Sequence, residues 1–207
     1  MENTVVFIDA GFLSKLSKHF GEGKYLVYNL FEFPKKLSKK QNLFCQKTFY
    51  YTAPPFISDN PSSSEIKRKK YFDKFSYRIS QNKDFIIRGG RCQRLKIDGK
   101  YVFKQKGVDS LMVMDLLDSI IDFPKIKKII IIASDSDFVP VIERIKNKGI
   151  KTILYTYYQK ERKMEFSTSN ELIKSVNKYV LISKDDFTSC PLKKDKGELW
   201  ITCSTQH

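Results

Sequence analysis

Three short segments rich in apolar residues, Thr4–Ile8, Ile129–Ala133 and Ile150–Tyr155, constrain the fold of this chain more than any other feature. Val5–Ile8 and Ile129–Ala133 are continuous rather than alternating, and the third closes on Ile153-Leu154-Tyr155, so each has to be covered on both faces. A half-wet antiparallel sheet reads as alternation, whereas unbroken runs read as the strands of a parallel sheet between helices. The flanking segments agree. Val5-Val6-Phe7-Ile8 runs into a turn at Asp9-Ala10-Gly11 and then a helical pattern through about Phe20. Ile129–Ala133 leads to a helical pattern over Phe138–Lys148, closed by Gly149, and then to the third run. This order predicts an α/β fold with a mainly parallel central sheet flanked by helices.

Further elements follow from the same pattern. Asp109–Asp122 reads as a helix stopped by Pro124, Asn170–Asn177 as a helix and Tyr179–Ile182 as a last strand. In the middle, Leu43–Tyr51 reads as a strand entering the Pro54-Pro55 turn, and about Glu65–Ser80 as a helix. Phe85–Arg88 and Tyr101–Lys104 read as strands flanking a basic segment, with an Asp98-Gly99 turn between them. At 207 residues the chain suits one sizeable core. The expected organisation is a single domain over residues 1–186, with a basic middle region at about 21–105 and a C-terminal tail over 187–207.

Composition narrows the function classes. The longest apolar run, Ile129–Ala133, is too short to cross a bilayer, and Met1-Glu2-Asn3-Thr4 lacks a secretory start. A cytoplasmic protein with no membrane partner is expected. Cys45, Cys92, Cys190 and Cys203 contain no C-x-x-C pair, which fits free thiols rather than a zinc site. His19 and His207 are the only histidines, so a multi-histidine metal site is excluded.

The formal net charge is +15. It is concentrated in residues 1–106, with 22 Lys and Arg against 9 Asp and Glu, while residues 107–207 hold 16 against 14. That surplus implies a polyanion partner, nucleic acid or an anionic surface. Lys67-Arg68-Lys69-Lys70 runs straight into Tyr71, Phe72, Phe75 and Tyr77. Cations can neutralise phosphates and aromatic faces can stack unpaired bases. A solvated basic face over core aromatics is the plainer alternative, and it stays open.

Carboxylates gather where ligands bind in open parallel sheets, beyond the carboxyl ends of the strands. The first strand ends in Asp9, and Ile129–Ala133 ends in Ser134-Asp135-Ser136-Asp137. Asp109, in Lys106-Gly107-Val108-Asp109, stands at the start of a helix. Each alone can be a helix cap or turn residue. Together they would repel unless a cation lay among them, and an all-oxygen set suits Mg²⁺ or Mn²⁺.

The segments VVFIDAGFL, KGVDSLMVMDLL and IIIIASDSDFVPVIERIKNKGIKTILY resemble the three signature segments of NYN domains, of the PIN-like nuclease superfamily. The resemblance covers residues 4–20 and 106–156. It implies a PIN-like three-layer fold with Asp9, Asp109 and Asp135 as a metal-binding acidic core and Asp137 as a fourth carboxylate. Ser134 and Ser136 would shape the loop, and Lys106 would hold a substrate phosphate. Asp115 matches a second family aspartate, but six residues after Asp109 it lies about 120° around the helix. Phe12 stands where many members carry asparagine.

The activity implied is metal-dependent hydrolysis of phosphodiester bonds, with an endoribonuclease on single-stranded RNA as the leading reading and RNA favoured over DNA. Lys67, Arg68, Lys69 and Lys70, with Arg88, Arg91 and Arg94, are the candidate substrate track. A nucleic-acid-binding or assembly protein without turnover is the main rival, and a homodimer is left open. A haloacid-dehalogenase-like phosphatase fits poorly, because Ala10 and Gly11 follow Asp9 where its second acid belongs. Asp135-Ser136-Asp137 also resembles the D-x-D of sugar-nucleotide transferases, a short match that is common by chance.

Overall fold

A computed structural model describes residues 1–159, 166 and 169–192. Its main sheet has six strands in the order β3 (Phe85–Gly89), β2 (Leu43–Thr52), β1 (Glu2–Asp9), β6 (Lys128–Ile132), β7 (Lys151–Thr156), β8 (Lys178–Leu181). Every neighbouring pair in it is parallel. β1 lies in the middle, and Val5, Val6, Phe7 and Ile8 are all completely buried.

Side chains alternate across a strand, so the continuous apolar runs feed two cores at once. Val6, Ile8, Tyr50, Ile130 and Tyr155 pack under α1 (Ala10–Phe20), α2 (Glu32–Lys40) and α7 (Lys184–Thr188). Val5, Phe7, Tyr51, Ile129 and Ile131 pack under α4 (Val108–Asp122), α5 (Val139–Asn147) and α6 (Asn170–Ser175). The result is the three-layer α/β/α arrangement expected from the sequence. From β1 the chain steps outward to β2 and β3, then returns beside β1 for β6 and steps the other way. The crevice beyond the ends of β1 and β6 is therefore the topological switch point.

The middle region folds as part of this sheet. α3 (Ser63–Ser80) opens with a capping box between Ser62 and Glu65 and crosses from β2 to β3. α2 was not legible in the sequence. It buries Phe33 and Leu37, four residues apart, and tolerates Pro34 in its first turn, where a missing N–H costs little. The basic segment after β3 is itself a strand, β4 (Arg91–Ile97), paired antiparallel with β5 (Lys100–Lys106) in a separate two-stranded sheet. The expectation of two flanking strands is corrected to three. Asp98 (φ 48°) and Gly99 (φ 77°) take the positive φ values that a two-residue hairpin turn requires.

The expected tail boundary falls inside α7. Phe187 and Cys190 are core residues, and Lys40 forms an ion pair with the buried Asp186. The rest of that tail, residues 193–207 with Cys203 and His207, lies outside the described residues. Cys45, Cys92 and Cys190 are free thiols. Among the described residues no helix is long and apolar enough to cross a membrane.

Gly90 fixes how the hairpin leaves the body. Its N–H donates to the Thr52 carbonyl at 2.8 Å. A Cβ there would stand 2.6 Å from the Lys106 carbonyl oxygen and 2.7 Å from Val108 Cγ2. Gly90→Ala should therefore cost about 1–3 kcal/mol in chemical denaturation. At Gly89, where a Cβ meets nothing within 4 Å, alanine should shift stability by less than about 0.5 kcal/mol. Equal effects at the two positions would contradict this packing.

Candidate functional site

Asp9 ends β1 and caps α1. Its Oδ1 accepts hydrogen bonds from Gly11 N at 2.8 Å and Phe12 N at 3.2 Å. Burial pushes its pKa up and the Asp109 and Asp135 charges add to that; the two N–H groups oppose, leaving it at about 6. Asp109 lies in the first turn of α4, whose N-cap is Gly107 at φ 79° with no side-chain cap. The N-cap role open to Asp109 is thus taken by glycine. The Asp109 pKa is raised by burial, then by the charges of Asp135 and Asp137. Asp135 precedes the 3-10 turn Ser136–Phe138 and accepts from Asp137 N at 2.9 Å.

The fold thus brings Asp9, Asp109, Asp135 and Asp137 into one electrostatic neighbourhood at the switch point. Among the described residues, no three His, Cys, Asp or Glu side chains stand close enough to hold a metal ion by direct ligation. The donor set is oxygen-only, and Asp9 Oδ2 takes no hydrogen bond among the described contacts. Such a set would hold a hard cation only through a retained part of its water shell, as Mg²⁺ commonly keeps. Ser134 and Ser136 flank Asp135 on the same loop, and Lys106 is exposed just ahead of α4.

Asp115 belongs elsewhere, as its angular offset from Asp109 indicated. It is buried and receives Arg88 Nε at 2.7 Å, a second Arg88 N–H, and the Tyr51 hydroxyl at 2.8 Å. Burial, followed by the Asp115 charge, raises the Tyr51 pKa. Arg88 therefore ties β3 to α4, a different job from the phosphate contact expected of it. No sequence signal marked this pairing, because the partners are 27 positions apart on a strand and a helix.

The remaining candidate track divides. On α3, Lys67 and Lys70 are exposed, Lys69 pairs with Asp73, and Arg68 is half-buried. Phe72 is core, but Tyr71 and Tyr77 are 58% and 67% exposed, so these two do not pack the helix onto the sheet. Arg91 and Arg94 lie on the hairpin. His19 is taken up in a ring cluster with Phe20, Tyr157 and Phe166.

A three-layer α/β/α fold with a parallel sheet and acids at its switch point is consistent with the PIN-like class. The NYN domain model matches residues 3–183, and the chain belongs to the NYN domain family. A crystal structure of a protein of unknown function from Vibrio parahaemolyticus is similar over 90% of this chain and 95% of that one. The identity is 19% and the TM-score 0.54, which shows a shared fold. No curated protein matches.

Two outcomes follow from these contacts. Asp9 binds a proton more readily in the folded state, at about 6, than in the unfolded chain, at about 3.9. The resulting relative stabilisation is complete below the unfolded value and is lost as pH rises through the folded one. In metal-free buffer Asp9→Asn, which can keep both capping bonds, should gain about 1–2 kcal/mol on the wild type between pH 5 and pH 8. A variant no more stable at pH 8 would contradict the field described. Asp115→Ala should lower stability by about 2–3 kcal/mol in urea, since the Tyr51 hydroxyl loses its acceptor in a buried place.

Proposed function

We propose that the protein is a metal-dependent nuclease that hydrolyses phosphodiester bonds, acting as an endoribonuclease on single-stranded RNA. The observation that carries this reading is the mutual charge repulsion of Asp9, Asp109 and Asp135 at the switch point. Such a concentration beside a phosphate substrate needs a cation, and Mg²⁺ or Mn²⁺ suits its oxygen donors. When bound, the cation would supply Lewis acidity and neutralise charge at the scissile phosphate.

The chain's own residues do the positioning. Gly11 and Phe12 N–H groups hold Asp9 through one oxygen, leaving the other without a hydrogen bond among the described contacts. The Asp135–Asp137 backbone contact sets the shape of the loop that carries Ser134 and Ser136. Lys106, three residues before Asp109, supplies a positive charge for an incoming phosphate. The family resemblance favours RNA over DNA. A rival reading, a NYN domain that binds nucleic acid without turnover, draws on the open spacing of the carboxylates.

Labelled single-stranded RNA, duplex RNA and single-stranded DNA, each incubated with Mg²⁺ or Mn²⁺, test the reading. The wild type should cut single-stranded RNA only with a divalent cation. Asp135→Asn, which removes charge but little volume, should abolish cleavage while leaving the melting curve intact. Wild-type protein inert on every substrate would favour the rival.

A further inference from the structure

Between β3 and α4 the chain leaves the main sheet as the β4–β5 hairpin, and none of its residues is buried. A two-stranded hairpin with no covered face is marginal in water. One face is anchored. The Phe103 ring lies 5.7 Å from that of Phe56, and the Arg94 guanidinium lies 4.8 Å from the Phe56 ring and 4.6 Å from Tyr101. Alternation along the strands then puts Arg91, Lys100, Lys104 and Lys106 on the opposite face, with Leu95 and Val102 paired between them.

The charge on that opposite face is uncompensated. Asp98 is the only acid in Arg91–Lys106. None of the four cations has a carboxylate partner among the described residues. The register even sets Arg91 directly across from Lys106, and like charges opposite one another destabilise a ladder. Two other basic positions of the candidate track differ, since Arg88 is engaged by Asp115 and Lys69 by Asp73. The base of the hairpin adjoins the acidic edge: Gly90 packs on the Lys106 carbonyl and on Val108, the residue before Asp109.

We propose that this face of the hairpin is a strand-binding arm. Arg91, Lys100, Lys104 and Lys106 hold the phosphates of a single-stranded nucleic acid, and Leu95 and Val102 lie against its unpaired bases. A duplex turns its bases inward and has no use for that apolar strip. The choice of RNA as the strand rests on the nuclease reading above; the arm itself rests on the hairpin.

The test is fluorescence anisotropy of a labelled single-stranded RNA in EDTA over a salt series, with wild type and a variant carrying Arg91→Ala, Lys100→Ala and Lys104→Ala. Each contact on a single strand contributes about 0.7 to the slope of log affinity against log salt. The variant should lose about 2 from that slope and bind at least about tenfold more weakly at low salt. The Arg91→Lys, Lys100→Arg, Lys104→Arg counterpart should retain the wild-type slope, which separates lost charge from lost fold. Lys96→Ala, on the Phe56 side, should leave it unchanged, and wild type should prefer the single strand to its duplex.

An unchanged slope in the alanine variant, a lost slope in the charge-conserving one, or equal duplex affinity would overturn the arm. So would intact RNA binding alongside lost binding to phosphatidylserine vesicles, or alongside loss of a dimer in sedimentation, which reassign the face to a membrane or a second copy. Because binding is read without metal, wild type that binds with this slope but never cleaves sinks the nuclease reading and leaves the arm standing. Cleavage with no change in slope does the reverse.

Discussion

The hydrogen-bonding of β1 on both edges, to β2 on one side and β6 on the other, determines where everything else in this molecule lies. A strand paired twice and covered on both faces favours apolar side chains along its middle. Val5 to Ile8 supply four consecutive buried side chains, each contributing about 1.5–3 kcal/mol on burial. That hydrophobic anchoring puts Asp9, the first residue past the apolar stretch, in a half-buried position at the switch point. Its raised pKa is the electrostatic cost of that placement.

Charge is segregated around this edge. All four acids of α4, Asp109, Asp115, Asp118 and Asp122, lie on a helix with no basic residue. One of them, Asp115, is neutralised internally by Arg88. The hairpin that precedes α4 is, by contrast, almost purely basic. A polyanion held by the proposed arm would meet carboxylates within a few residues of its base, and a cation would reconcile the two fields. On the proposed reading, attraction for the substrate and the need for a metal would both arise from one stretch of chain, Arg91 to Asp109.

The parts of the fold legible in the sequence were those where burial on both faces forces a cluster of consecutive apolar residues. β1, β6 and β7 were read within a residue or two for that reason, and α4 and α5 by their helical spacing. α2 escaped because Pro34 and five lysine and acidic neighbours mask a buried face of few residues. β4 escaped for the opposite reason: it has no buried face, so no periodicity distinguishes it from a charged loop. Phe187 was taken for tail because a five-residue helix leaves almost no pattern. At the site, Asp9, Asp109 and Asp135 stood out because strand ends and the family motifs mark them. The Arg88–Asp115 pairing was not legible, since a cation's partner on another element cannot be read from its own neighbours.

The central claim is that the aspartates at the switch point share a divalent cation. Isothermal titration of Mn²⁺ into metal-free wild type, Asp109→Asn and Asp135→Asn proteins measures this without reference to any substrate. The account predicts saturable binding to the wild type that both substitutions weaken at least about tenfold, as loss of a charged ligand does. Binding of equal strength in all three proteins, or none to the wild type, would contradict it.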